Sequence, residues 1–209
     1  MNSPFKLLDA YEKKDKDIFF GRNKDIELLY NTTFKTNLML VYGQSGTGKT
    51  SLIQCGLANR FRETDWFDVY VRRRDNINAS LQREIKEKGK TTITGNAPVT
   101  EAIQSLYLDF FKPIYLIFDQ FEELFILGTP GEQKEFFETI AGLLNSANGG
   151  GHQRVSCKII FAMREEYIAW LYDFEKIVPG LFDFRIRVEP MPGRASSTTR
   201  EACCSSRTS

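Results

Sequence analysis

Apolar positions in this chain fall into two alternating patterns. Short runs rich in aliphatic, aromatic and β-branched residues occupy 38–42, 66–71, 113–118, 155–163 and 184–188, and each predicts a strand. Between them lie stretches with helical spacing. Ile26, Leu29, Tyr30 and Thr33 share one face of a helix with Asn23 or Lys24 near its cap, and 50–57 reads as a helix directly after the first strand. Ile77, Leu81 and Ile85 repeat at four-residue intervals, as do Val99, Ile103, Leu106 and Phe110 at three or four. Over 132–145, Phe136, Phe137, Ile140, Ala141 and Leu144 line one side, and a further helix is expected around 167–172. The polar stretch 89–98 and the segment 145–151, with three consecutive glycines, read as loops. Strand and helix alternate throughout, which predicts an α/β fold.

The 209 residues suffice for one full α/β domain, and 42% hydrophobic against 26% charged residues fits a packed core. Lys plus Arg number 28 and Asp plus Glu 27, a formal charge of +1, so no long-range field marks nucleic acid or an anionic membrane as partner. Cys55, Cys157, Cys203 and Cys204 have neither metal-ligand nor disulfide spacing, and the single His152 sits in the glycine-rich loop. No secretory leader is legible and no apolar stretch reaches the length of a membrane span, so a reducing cytoplasm is expected. Residues 194–209 contain no large aliphatic or aromatic residue, and this abrupt shift reads as a disordered or non-native tail, such as a shifted reading frame. The divisions expected are 1–36 as an N-terminal segment and helix, 37–193 as the core, and 194–209 as the tail.

Two stretches carry chemistry. The first is Gly43-Gln44-Ser45-Gly46-Thr47-Gly48-Lys49-Thr50, followed by Ser51, which matches the phosphate-binding pattern G-x-x-x-x-G-K-[ST] between a strand and a helix. Glycines let successive N–H groups converge on phosphate oxygens at a helix N-terminus, whose dipole favours negative charge. Lys49 is expected at the β- and γ-phosphates and the Thr50 hydroxyl on Mg²⁺. The second is the apolar strand ending at Asp119, the Walker B arrangement, in which the carboxylate stands beside Mg²⁺. Glu122 and Glu123 follow within one turn, and either could orient or deprotonate an attacking water; both also suit the start of a helix. Arg72-Arg73-Arg74 ends the second strand: one of them could approach nucleotide or a partner, or the cluster is solvated and pairs with surface acids. Arg164 ends the fourth strand, where it could sense the γ-phosphate or pair with Glu165, Glu166 or the Walker B acids.

With Phe19-Phe20-Gly21-Arg22, Asp25-Ile26-Glu27-Leu28-Leu29, the 43–50 loop, Asp119-Gln120-Phe121-Glu122-Glu123-Leu124-Phe125 and Met163-Arg164-Glu165-Glu166-Tyr167, the chain resembles the novel STAND NTPases. These are signal-transduction ATPases related to NACHT and, more distantly, AAA+ modules. The resemblance spans about residues 3–192, with little to anchor it between 74 and 112. It implies a three-layer P-loop domain with a parallel sheet of order 5-1-4-3-2, ATP and ADP rather than guanine nucleotides, Mg²⁺, and a nucleotide-controlled switch. By position, Gly21 and Arg22 would lie near adenine and ribose, Asp119 would act through Mg²⁺, Glu122 or Glu123 would handle water, and Arg164 would be the sensor. Gln120 stands where many related ATPases keep the catalytic acid, which implies slow turnover. The family also implies helical, winged-helix and effector regions that mediate protein partnership or self-assembly. None of these regions is legible here, and without them Phe182, Phe184 and Ile186 are expected to be incompletely covered.

The leading expectation is therefore an ATP-dependent switch module of a bacterial signalling or defence protein. An ATP-binding scaffold without turnover is a second reading. The third is an initiator- or loader-type AAA+ protein on DNA, which the near-neutral charge and the lack of a DNA-binding module disfavour.

Overall fold

The computed structural model describes residues 9–91, 97–148 and 157–191. Five strands, β1 (Leu38–Gly43), β2 (Phe67–Val71), β3 (Ile114–Phe118), β4 (Cys157–Arg164) and β5 (Arg185–Arg187), form one sheet in the order β2-β3-β4-β1-β5. Read from the other edge this is 5-1-4-3-2, and every pairing is parallel. The helices are α1 (Asn23–Thr33), α2 (Lys49–Ser51), α3 (Ile77–Lys88), α4 (Val99–Phe110), α5 (Glu123–Leu127) and α6 (Pro130–Asn148).

The period of two along each strand divides the core into two clusters, one per face. Leu38 and Leu40 of β1, Leu116 and Phe118 of β3, and Ile159 and Phe161 of β4 face the layer containing α3, α4 and α6. Met39, Val41, Ile117, Ile160 and Ala162 face the opposite way, towards Leu29 of α1 and Leu52, Ile53 and Leu57 behind α2. Burial on both faces leaves no polar alternation in β3, all five of whose residues are buried. Ile77, Leu81 and Ile85 form the buried stripe of α3, whose first turn is capped by the Asn76 side chain accepting from the Ala79 N–H at 3.0 Å.

Several boundaries differ from the sequence reading. The residue preceding α1 is Arg22, which makes no side-chain cap, because a guanidinium has no acceptor to offer the first-turn N–H groups. After Ser51 the helix widens into a π-wound stretch, Leu52–Leu57, and then tightens at Ala58–Arg60. The segment Glu165–Phe174 is 3₁₀ rather than α-helical. Ile186 is covered, since it lies in the core with Val41 and Ala162, while Phe184 is half-buried and Phe182 stacks on Tyr172 at 4.4 Å. The expectations for 194–209, His152, 149–151 and the first two residues of the 155–163 strand lie outside the described residues.

The arginine cluster divides: Arg72 and Arg74 are exposed, with Arg74 reaching Glu84 at 3.4 Å, whereas Arg73 is not solvated. Arg73, only 8% exposed, donates through Nε and Nη2 to both oxygens of Glu132, 6% exposed, at 2.9 and 2.7 Å. The Ile77 N–H donates to the same carboxylate at 2.8 Å, so Glu132 ties the end of β2 and the start of α3 to the start of α6. Burial works to raise the Glu132 pKa, but the guanidinium and the N–H outweigh it, and the carboxyl titrates below its ordinary range.

Removing one partner of a buried pair strands the other, at a cost of about 3–5 kcal/mol. Glu132→Ala should therefore lower the urea midpoint by that equivalent with an unchanged m-value, and a shift below about 1 kcal/mol would show that the pair does not fasten α6. Because the folded pKa is depressed, the stabilisation is complete at neutral pH and is lost as pH falls through the lowered value. Glu132→Gln should accordingly flatten the acid limb of the stability profile measured by the same melts.

Candidate nucleotide-binding site

Parallel strands bring all their carboxyl ends to one edge, and the loop after β1 and the turn after β3 meet there. Gly43 ends β1 where a Cβ would stand 2.4 Å from the Val188 carbonyl, so no larger residue fits between β1 and the end of β5. Gly46 and Gly48 have φ of +77° and +85°, and their missing Cβ atoms would meet nothing within 4 Å. The loop therefore follows a left-handed path around open space, as backbone N–H groups converging on an anion require. A cavity of about 560 Å³ opens there, lined by Ser45, Gly46, Thr47, Gly48, Lys49, Thr50 and Ser51 of the loop and helix. Asp119, Gln120, Glu122 and Arg164 line its opposite wall, with Tyr11, Phe19, Arg22 and Met191 at its rim.

Lys49 donates to the carbonyls of Gly43 and Gln44 at 2.9 and 2.8 Å. Its pKa is lowered by burial, against the opposing pull of Glu122 and Asp119. The Thr50 hydroxyl donates to Asp119 Oδ1 at 2.8 Å, joining the two predicted Mg²⁺ ligands across 69 positions of sequence. A hydroxyl and one carboxylate form a hard-oxygen pair that suits Mg²⁺, which takes few protein ligands and completes its shell with phosphate and water. No group of three or more His, Cys, Asp or Glu side chains able to hold a metal occurs among the described residues.

Asp119 Oδ2 accepts from Arg72, at 3.2 Å from Nε and 2.6 Å from Nη2. Glu122 is also buried, and its oxygens meet Arg164 through Nε at 3.1 Å and the backbone N–H at 3.2 Å. Gln120 has φ +55°, a left-handed conformation that is unusual for a residue with a side chain. That turn sends Phe121 into the core and leaves Gln120 and Glu122 on the cavity.

Arg22 is 6% exposed and donates from Nη2 to the Thr47 carbonyl at 2.7 Å, while Nη1 holds Asp25 at 2.9 Å. It thus braces the loop from behind. Of the sequence candidates, Gly21, Gly43, Gln44 and Glu123 are not among the residues lining the cavity. Gly43 and Gln44 supply carbonyls to Lys49, and Glu123 begins α5. The sequence reading missed Tyr11, whose N–H donates to Ser51 Oγ at 3.0 Å, and the pairing of Arg72 with Asp119. Position at the carboxyl end of β2, beside β3, is the signal that singles out Arg72.

A model of the family described as Novel STAND NTPase 1 matches residues 4–202. Among solved structures, the fold is similar to the Walker-type ATPase PABY2304 of Pyrococcus abyssi, with TM-score 0.61 and 18% identity over 91% of this chain and 58% of that one. It is similar also to the ORC2 protein of Aeropyrum pernix in its ADPNP-ADP complexes, with TM-score 0.62 and 16% identity over 88% and 50% of the two chains. Identities this low establish shared architecture alone, and the chain spans between half and three-fifths of the length of these neighbours. Among curated proteins, none matches the chain.

The Arg22 brace can be tested directly. A buried charge-assisted hydrogen bond is worth about 1.5–3 kcal/mol, so Arg22→Ala should weaken binding of a fluorescent ADP analogue about tenfold or more. Amide exchange at 44–48 should quicken in the same variant, and unchanged affinity with unchanged exchange would remove Arg22 from the site.

Proposed function

Since the chain belongs to the novel STAND NTPase 1 family, we propose that this NTP-binding module is the ATP-specific core of a cytoplasmic signalling switch, one that hydrolyses ATP slowly with Mg²⁺. The observation that carries this reading is the Thr50–Asp119 hydrogen bond at the mouth of the glycine loop, with Lys49 in the same cavity. Lys49 holds two loop carbonyls and can exchange them for phosphate oxygens without leaving its place. Loop N–H groups bind the phosphate chain, and Thr50 and Asp119 hold the cation. Mg²⁺, when bound with nucleotide, supplies neutralisation of phosphate charge.

Glu122 is the residue that orients water, because it lines the cavity whereas Glu123 does not. Its carboxylate is engaged by Arg164 Nε at 3.1 Å and must leave that partner to serve water, which together with Gln120 after Asp119 supports slow turnover. Arg164 serves as sensor, since a guanidinium that partners Glu122 at this wall also faces the phosphate end. The same ion pair favours the scaffold without turnover as second reading. Protein partners or self-assembly follow from the family rather than from any surface of this chain. No described helix is long and apolar enough to cross a membrane, and Cys55 and Cys157 are both buried thiols.

Calorimetric titration with ATP, ADP and GTP in Mg²⁺ should show adenine nucleotides bound in preference, and Lys49→Ala should abolish measurable binding. Equal affinity for GTP, or binding that survives Lys49→Ala, would overturn the assignment.

Single-turnover hydrolysis separates the switch from the scaffold. Glu122→Gln should slow it by about 10²-fold, the lower range for a general base, while Glu123→Gln should stay within about twofold of the unaltered protein. Absence of any turnover in the unaltered chain, with ATP still bound, would favour the scaffold.

A further inference from the structure

Asp119 is 5% exposed, and both of its oxygens are already engaged. Thr50 takes Oδ1, and Arg72 donates twice to Oδ2. Around the buried carboxylates Asp119 and Glu122 stand Lys49, Arg72 and Arg164, with Glu166 also acting on Lys49. A free dication approaching Asp119 must displace the Arg72 guanidinium with Lys49 and Arg164 close by, whereas one that arrives with polyphosphate brings anions for these cations.

Arg72 differs from its neighbour Arg73 in having somewhere to go. Its side chain is 52% exposed, and it lines a second cavity of about 400 Å³ together with Gln54, Tyr70, Arg74, Glu84 and Asp119. The Tyr70 hydroxyl in that cavity is buried and makes no hydrogen bond, which offers an acceptor to a guanidinium that leaves Asp119. Arg73 cannot follow, because Glu132 holds it in the core. The end of β2 is therefore anchored at Arg73 and exchangeable at Arg72.

We propose that Arg72 is an exchangeable counter-ion of Asp119, a positioning residue that withholds this carboxylate from free divalent cations and yields it to a cation delivered with nucleotide phosphates. This rests on the reading of Thr50 and Asp119 as the cation-holding pair. Arg72 holds Asp119 oriented towards Thr50 with its charge compensated, and turns towards Tyr70 when the carboxylate is taken. Cation and nucleotide then bind cooperatively, because neither alone compensates the charge that the exchange uncovers.

Mn²⁺ serves as the probe, its uptake read from the loss of the free-ion electron paramagnetic resonance signal, alone and with ADP. In the unaltered protein, uptake should require ADP. Arg72→Gln removes the charge at a half-exposed position and should bind Mn²⁺ without ADP, at a concentration about tenfold or more below that needed by the unaltered protein, the value of one charge-assisted contact. Arg72→Lys should restore the ADP requirement. Unaltered Mn²⁺ uptake in Arg72→Gln, or tight uptake by the unaltered protein without ADP, overturns the proposal. If Arg72→Gln gains Mn²⁺ while neither protein binds ADP, the counter-ion role stands and the nucleotide reading fails. If ADP binds normally and Arg72→Gln gains nothing, the reverse holds.

Discussion

A carboxylate removed from water must be met by donors or by a cation, and the end of β3 is built around that requirement. Five buried apolar residues precede Asp119, so its carboxylate leaves the sheet already desolvated. Thr50 meets one oxygen and Arg72 the other, while the Asp119 N–H donates to the Val71 carbonyl at 3.0 Å. These bonds join the loop helix, the end of β2 and the turn after β3. The pairing of Val71 with Phe118 sets Arg72 beside Asp119, and slippage by one residue would turn the β2 side chains to the opposite face. Sheet register and site geometry are thus one constraint.

The apolar side of the sheet prepares the polar edge. Phe121 stacks on Phe161 at 4.3 Å between ring centres, and Phe118 packs edge-on against Phe136 at 5.0 Å. Its N–H also donates to the Ala162 carbonyl at 2.9 Å, so both backbone and ring of Phe121 are held by β4. With Phe121 fixed inside, Gln120 must take a left-handed turn, a conformation costing of order 1–3 kcal/mol, which the surrounding packing offsets. Glu122 emerges from that turn next to Arg164, the last residue of β4. The aromatic cluster thereby decides which acid after Asp119 faces the cavity.

Local pattern carried much of this into the sequence. Uninterrupted apolar runs revealed buried parallel strands, because burial on both faces removes alternation, and the glycine loop announced its shape through residues that alone tolerate φ near +80°. Strand order came through resemblance, since nothing in the spacing of β1 and β5 states that they are neighbours. Long-range ion pairs stayed hidden for a physical reason. Arg73 and Glu132 are 59 positions apart, and a triple arginine reads as solvated until a buried carboxylate is known to face it. The choice between Glu122 and Glu123 was likewise closed to sequence, because the two are adjacent acids and only the packing around Phe121 sets which of them lines the cavity.

A common feature of the carboxyl edge is that its charged groups are satisfied by the chain itself. Arg72 holds Asp119, Arg164 holds Glu122, Arg187 holds Glu165 at 2.8 Å, and Lys49 holds the loop carbonyls. A polyanion entering the cavity therefore exchanges partners more than it finds free ones, and the net gain is the difference between two sets of charge-assisted bonds. Such differences shift conformational populations, since a ligand biases an equilibrium only through contacts that are unequal in its states. Arg72 and Arg164, two of the groups that would change partners, sit just past β2 and at the end of β4. Occupancy of the cavity would in this way bear on both strand ends, which continue into α3 and the 3₁₀ segment 165–174.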